Sequence, residues 1–233
     1  MIRKLLLIAI MLFGFSSILS AQDDELDDLS FETYELQETS PVYFVAGGGF
    51  TGSFIFVDID ALNTEVSGLD IEKSNIFMMG AEGFTAIPYL KNFRVGFSSI
   101  SGTLESSFAG TETDWDVRYS LDYTSFAFDY AIIPFRSFAI LPGINAGWGN
   151  VMYEQYNQDN MFRNEATFWS LKPHLNLEYA LAEYLLVRIA GAYSLTFMSD
   201  WKLNYDHESI LSTDVNGNGM EIRFGIYVGV FTY

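Results

Sequence analysis

Cysteine is absent from the 233 residues, so neither a disulfide framework nor a thiolate metal site is available to this chain. Basic residues are scarce: 12 Lys and Arg stand against 30 Asp and Glu, for a net charge of -18. They are scattered along the chain, which argues against nucleic acid as a partner. No P-loop, H-E-x-x-H helix or helix-linked G-x-G-x-x-G occurs, so nucleotide, zinc-protease and dinucleotide chemistry have no motif to rest on. No cofactor is expected. After residue 21 no apolar run reaches the roughly 20 residues a membrane helix needs, so a later span would have to be built from strands.

Aromatic residues, by contrast, make up 17% of the chain, and 19 glycines accompany them, a balance that favours a β-rich fold with close backbone approaches. A mean hydropathy of +0.15 is high for so acidic a chain, so apolar and acidic residues must be segregated in space. The length suits one domain.

Met1-Ile2-Arg3-Lys4, the apolar run Leu5 to Phe15 and the small residues before Gln22 predict a secretory signal peptide over 1–21. Residues 22–40 carry Asp23, Asp24, Glu25, Asp27, Asp28, Glu32, Glu35 and Glu38 and no base, the pattern of a solvated periplasmic lead-in. From residue 41 to 233 strand-length segments alternate with turn signals. Eight strands are predicted, at about Val42 to Phe56, Ile76 to Ile87, Phe93 to Ser106, Trp115 to Ile132, Phe138 to Tyr153, Thr167 to Ala180, Leu185 to Phe197 and Gly219 to Tyr233. Short connectors at Pro88 to Asn92, Pro134 to Ser137 and Leu181 to Tyr184 alternate with longer, more polar ones, as in a transmembrane barrel with both termini in the periplasm.

The last strand shows the alternation best. Ile222, Phe224, Ile226, Val228 and Val230 share one face, and Glu221, Arg223, Gly225, Tyr227 and Gly229 share the other. With Phe231 and Tyr233 at its end, this stretch resembles the closing strand of small Gram-negative outer-membrane β-barrels of the OmpA and OmpX type. The resemblance covers roughly Pro41 to Tyr233 and is one of pattern. It implies an all-β, eight-stranded antiparallel barrel in the outer membrane, inserted by the barrel-assembly machinery through its C-terminal strand, with the lipid bilayer as surroundings.

In the sixth strand Trp169, Leu171, Pro173, Leu175, Leu177 and Tyr179 are predicted to face lipid, with aromatic residues at both ends. Pro173 removes a ladder donor and predicts a bulge or weakened pairing. The seventh strand repeats the scheme, with Leu185, Val187, Ile189, Gly191, Tyr193 and Leu195 outward. In the fourth, Asp116, Arg118 and Asp122 share a parity with Phe126 and Phe128; either the upper part stands above the membrane or a bulge near Thr124 switches faces.

The inward set is Glu82, Arg94, Asp129, Lys172, His174, Glu178, Arg188, Glu221 and Arg223: four acids, four bases and a histidine in a polar interior. An eight-stranded barrel is just wide enough for side chains to fill it, so the set is expected to pair and plug the lumen. Inward Gly143, Gly147, Gly225 and Gly229 would open gaps for water.

In the first long loop Asp60, Leu62, Val66, Gly68 and Leu69 predict a short helix over the barrel mouth. In the fourth, Asp214, Asn216 and Asn218 match the opening of an EF-hand loop, but Gly225 stands where the bidentate Glu is needed, leaving at most a weak calcium candidate. No other metal site is predicted. Some small outer-membrane barrels modify lipid A with Ser and His; here His174, His207 beside Asp206, Ser199, Ser209 and Ser212 supply the residue types without a fixed-spacing motif. The reading is a non-enzymatic outer-membrane barrel with a structural or surface-interaction role. A narrow channel or small-molecule carrier and a lipid-modifying enzyme are the alternatives.

Overall fold

Each strand of this chain has one apolar face and one mixed face, and closing the sheet on itself pairs every edge while giving the two faces different surroundings. The computed structural model describes residues 43–57, 75–109, 114–156, 161–203, 207–208 and 217–233. Eight long strands form the barrel: β1 (Phe44–Val57), β2 (Asn75–Ala86), β3 (Phe93–Ala109), β4 (Asp114–Tyr130), β6 (Phe138–Tyr156), β7 (Met161–Ala182), β8 (Leu185–Met198) and β11 (Gly219–Thr232). Three short ones are appended: β5 (Ile132–Phe135) on the start of β6, and β9 (Lys202–Leu203) and β10 (His207–Glu208) beyond β8. The long strands run antiparallel in chain order. β1 pairs β11 and β6 pairs β7, so the ring is closed. The first-loop helix, the signal peptide and the acidic lead-in belong to segments that lie outside the described residues.

Side-chain alternation is regular around the wall. On β11 Ile222, Phe224, Ile226, Val228 and Val230 are exposed while Glu221, Arg223 and Tyr227 are buried. Phe50, Ile189, Phe126, Phe128, Leu175 and Leu177 extend the exposed apolar band around the ring. This exterior is inside-out for water and suited to hydrocarbon. On β7 the ten steps from Trp169 to Tyr179, at roughly 3.3 Å each and tilted about 40°, span about 25 Å, the height of a lipid-facing band. Leu195, expected to face outward, is only 6% exposed and is the departure on β8.

The interior is layered. Toward the short turns lies an apolar cluster that includes Val45, Phe84, Leu141, Leu186, Tyr227 and Phe231; toward the long loops lies a second with Ile55, Ile76, Met78, Leu121, Tyr153 and Phe168, joined by Trp201 from the segment after β8. The expected polar interior is therefore confined to the middle. Phe231 and Tyr233 follow the inward parity of Glu221 and end the chain inside the wall.

Two strands settle differently from the readings open in the sequence. The register of β4 runs without a shift past Thr124 against both neighbours, so there is no bulge, and Asp116 and Asp122 stay outward on a part of the strand above the apolar band. At Pro173 the ladder with β8 lapses between Leu171 and His174 but resumes in the same register; the pairing is weakened, and the bulge of this strand pair lies at Ala180/Ala182 instead. β7 starts at Met161, six residues ahead of its predicted start.

β3, β4, β6 and β7 are longer than the other four barrel strands and rise on one side as a four-stranded wall. Among the described residues β3 pairs β2 only up to Gly102, so Thr103 to Ala109 pair with β4 alone. On this wall Arg118 donates to Glu105 at 3.0 Å, and that bond, with the carboxylate's charge, raises the guanidinium pKa further above its ordinary value. The pair is exposed and contributes little to stability.

Candidate functional site

Between the two apolar clusters the nine inward residues form one chain of alternating charge. His174 Nε2 lies 2.5 Å from Asp129 Oδ1. Arg94 donates to Asp129 Oδ2 through Nε (2.9 Å) and Nη2 (2.5 Å), and through Nη1 to Glu178 Oε1 at 2.7 Å. The same Glu178 oxygen accepts from Arg188 Nε at 2.6 Å, and Arg188 Nη1 donates to Glu82. Glu82 Oε2 is 3.9 Å from Arg223, which donates to Glu221 Oε1 at 3.0 Å. Lys172 Nζ donates to Glu221 Oε2 at 2.9 Å. Lys172 and His174 neighbour each other on the inner face of β7, so both ends of the chain return to one strand.

Local register explains the short links. Arg94 stands opposite Asp129 on β3 and β4, and Glu178 opposite Arg188 on β7 and β8. The Arg94–Glu178 link instead joins β3 to β7, which are not sheet neighbours, and so crosses the lumen. The eight acids and bases are all buried. Charges taken out of water are held only where every one has partners, and four acids facing four bases satisfy that condition.

Aromatic rings complete the layer. Phe84 is flanked by the guanidinium carbons of Arg94 at 4.3 Å and Arg188 at 4.7 Å, and Lys172 Nζ sits 3.6 Å from the Tyr123 ring centroid. Such contacts are worth more when desolvated. Tyr227 Oη accepts from Arg188 and donates to Glu82 Oε2 at 3.1 Å, and the Tyr233 hydroxyl donates to Glu178 Oε2 at 2.9 Å. Sequence reasoning did not place Phe84, Tyr123 and Tyr233 in the layer. Strand parity is the signal that finds them, since they alternate in phase with Glu82, Asp129 and Glu221. Replacing Tyr233 with Phe removes one bond to a charged group and is expected to lower stability by about 1.5–3 kcal/mol, measured by denaturant titration of the folded barrel.

The inward glycines hold side chains or backbone rather than water. A Cβ at Gly143 would fall 2.3 Å from Asp129 Oδ1 and 2.6 Å from His174 Nε2, so this glycine makes room for the Asp129–His174 contact; at Gly225 the Tyr227 ring occupies the space. At Gly147 and Gly229 the neighbouring strand's carbonyl oxygens come as close.

The other candidates are dispersed. Asp214, Asn216, Asp206, Ser209 and Ser212 lie outside the described residues. Asn218 Oδ1 accepts from Thr196 N at 2.6 Å and Thr196 Oγ1 at 2.9 Å, a loop-fastening role. Among the described residues no group of three or more His, Cys, Asp or Glu is placed to hold a metal ion. His207 lies in β10, away from His174, which is turned into the interior, and Ser199 bonds to Thr167.

No protein-family model and no curated protein sequence matches the chain. Among solved structures it is similar to Ail, the attachment invasion locus protein of Yersinia pestis, at 10% identity over 83% of this chain and 99% of that one, with a TM-score of 0.45. It is also similar to a major outer membrane protein of Thermus thermophilus (10% identity, 79% and 98% covered, TM-score 0.44) and to the outer membrane protease OmpT of Escherichia coli (11% identity, 88% and 100% covered, TM-score 0.36).

Proposed function

We propose that the protein is an outer-membrane barrel that does not conduct, with a structural or surface-interaction role carried by its long-loop end. The observation that carries this reading is the alternating ion chain closed between two apolar clusters, because a continuous water path would have to pass all three layers. The apolar exterior and the signal-like leader support the outer membrane, with the short turns and both termini on the periplasmic side and β11 as the strand offered to the assembly machinery. The raised wall of β3, β4, β6 and β7 supports contact with something beyond the membrane. In this reading the chain catalyses nothing, since His174 is engaged by Asp129 in the interior.

Planar-bilayer recording tests the sealed interior. Wild type is expected to show no steady conductance. Arg223→Ala leaves Glu221 with Lys172 alone and weakens the link to Glu82, so it should admit water and raise leakage. Deleting Asp23 to Glu38 should change neither if that segment is a lead-in. Steady, cation-selective current through wild type would replace this reading with the channel.

A further inference from the structure

The outer wall carries a groove that the ion chain does not explain. Trp148 on β6 and Trp169 on β7 are cross-strand partners, both outward and exposed, with ring centroids 5.9 Å apart. One rung nearer the long loops Asn150 pairs with Thr167, with Asp122 of β4 beside Asn150. The next rung reaches Glu165, whose partner on β9 is Lys202. A depression of about 360 Å³ lies at the two indoles and another of about 490 Å³ lies above it, lined by Asp122, Asp200 and Lys202; Asn150 and Thr167 line both.

The upper rim is fastened to the wall. Ser199 N donates to Thr167 O at 2.8 Å, and Thr167 N donates to Ser199 Oγ at 3.0 Å. These bonds fix the segment that bears Asp200 and Lys202 against β7. The groove passes from indole to charge within two rungs, about 13 Å of strand. Tryptophans settle at headgroup depth, so the charged rungs just beyond them face headgroups rather than acyl chains.

We propose that this groove seats a lipid of the surrounding leaflet whose headgroup carries both a phosphate and a protonated amine. The glycerol and upper acyl carbons lie on Trp148 and Trp169, the phosphate meets Lys202, and the amine meets Asp122 and Asp200. A headgroup with only negative charge would face two carboxylates of like sign, whereas one with only positive charge would leave Lys202 opposed. The proposal rests on the membrane reading above.

Native mass spectrometry of the detergent-purified full chain, offered equimolar phosphatidylethanolamine and phosphatidylglycerol, tests it. Wild type is expected to retain the ethanolamine lipid preferentially. Lys202→Ala should lower that retention roughly fivefold, the effect of one basic residue at a lipid surface. Asp122→Asn should instead narrow the preference between the two lipids. Equal retention of both lipids by wild type, or no change in Lys202→Ala, overturns the site. Both side chains are exposed, and a gel that separates folded from heat-unfolded barrel checks each variant. A barrel that inserts into vesicles and shows no preference defeats this site alone, whereas one that fails to insert defeats the membrane reading.

Discussion

Replacing Glu178 with alanine is expected to destabilise the barrel by about 3–5 kcal/mol, the cost of stranding buried charge. Glu178 is fully buried and takes three bonds: Arg94 at 2.7 Å and Arg188 at 2.6 Å on one oxygen, Tyr233 on the other. Its loss cuts the alternating chain at its centre. Arg94 then keeps Asp129 and Arg188 keeps Glu82, but two guanidiniums face each other across the space the carboxylate filled. Glu178→Gln keeps acceptor and size while removing the charge, so it should fall between wild type and alanine. Glu105→Ala, at the exposed Arg118 pair, should change little. Urea titrations of protein folded into lipid vesicles give all three. If Glu178→Ala is no worse than Glu105→Ala, the interior charges are solvated and the sealed layer is wrong.

The parts of this fold that were legible in the sequence are those where the two faces of a strand meet different surroundings. β11 and most of β7 and β8 sit between lipid and a filled lumen, so burial follows a period of two and inward charge stands out against outward Leu, Ile and Phe. That same contrast identified every member of the ion chain before its partners were known. The partners were not legible, because Arg94 reaches Glu178 across the lumen, and the curvature that brings them together is not written in either strand.

Legibility fails where the two faces become alike. Above the tryptophan rung β4 and β7 meet water outside, so Asp116 and Asp122 lost the contrast that fixes parity, and residues 161–166 read as loop although they are strand. The apolar layers inside were hidden for the opposite reason. Ile76, Met78 and Leu186 have the residue types of the lipid face, and only their phase with Glu82 and Arg188 shows that they point inward. Leu195 shows the limit of phase itself, since its outward parity does not keep it exposed. Pro173 was legible as a lost donor but not in its consequence, because the intact pairing with β6 on its other side holds the register.

Placing arginine at Leu175 is expected to cost about 2–4 kcal/mol, because a guanidinium on the lipid face near mid-bilayer must be solvated by distorting the surrounding lipid. Leu175 is exposed on the outer wall and lies between Trp169 and Tyr179, the two aromatic ends of the band on its own strand. Depth is the decisive variable. Leu181→Arg lies beyond Tyr179, toward the short turn, and should cost about 0–1 kcal/mol although it adds the same charge to the same strand. Gly191, opposite Leu175 on β8, is also outward and has no heavy atom within 4 Å of a Cβ built on it, so Gly191→Arg tests depth without loss of packing. It should resemble Leu175→Arg. Asn176→Arg is a poorer contrast, because Asn176 is buried between Lys172 and Glu178 on the inner face and arginine there would crowd the ion layer. Folding titrations into vesicles measure the series. Equal penalties at Leu175, Gly191 and Leu181 would mean that the exterior meets water along its whole height, and the membrane-spanning reading would fall with the depth dependence.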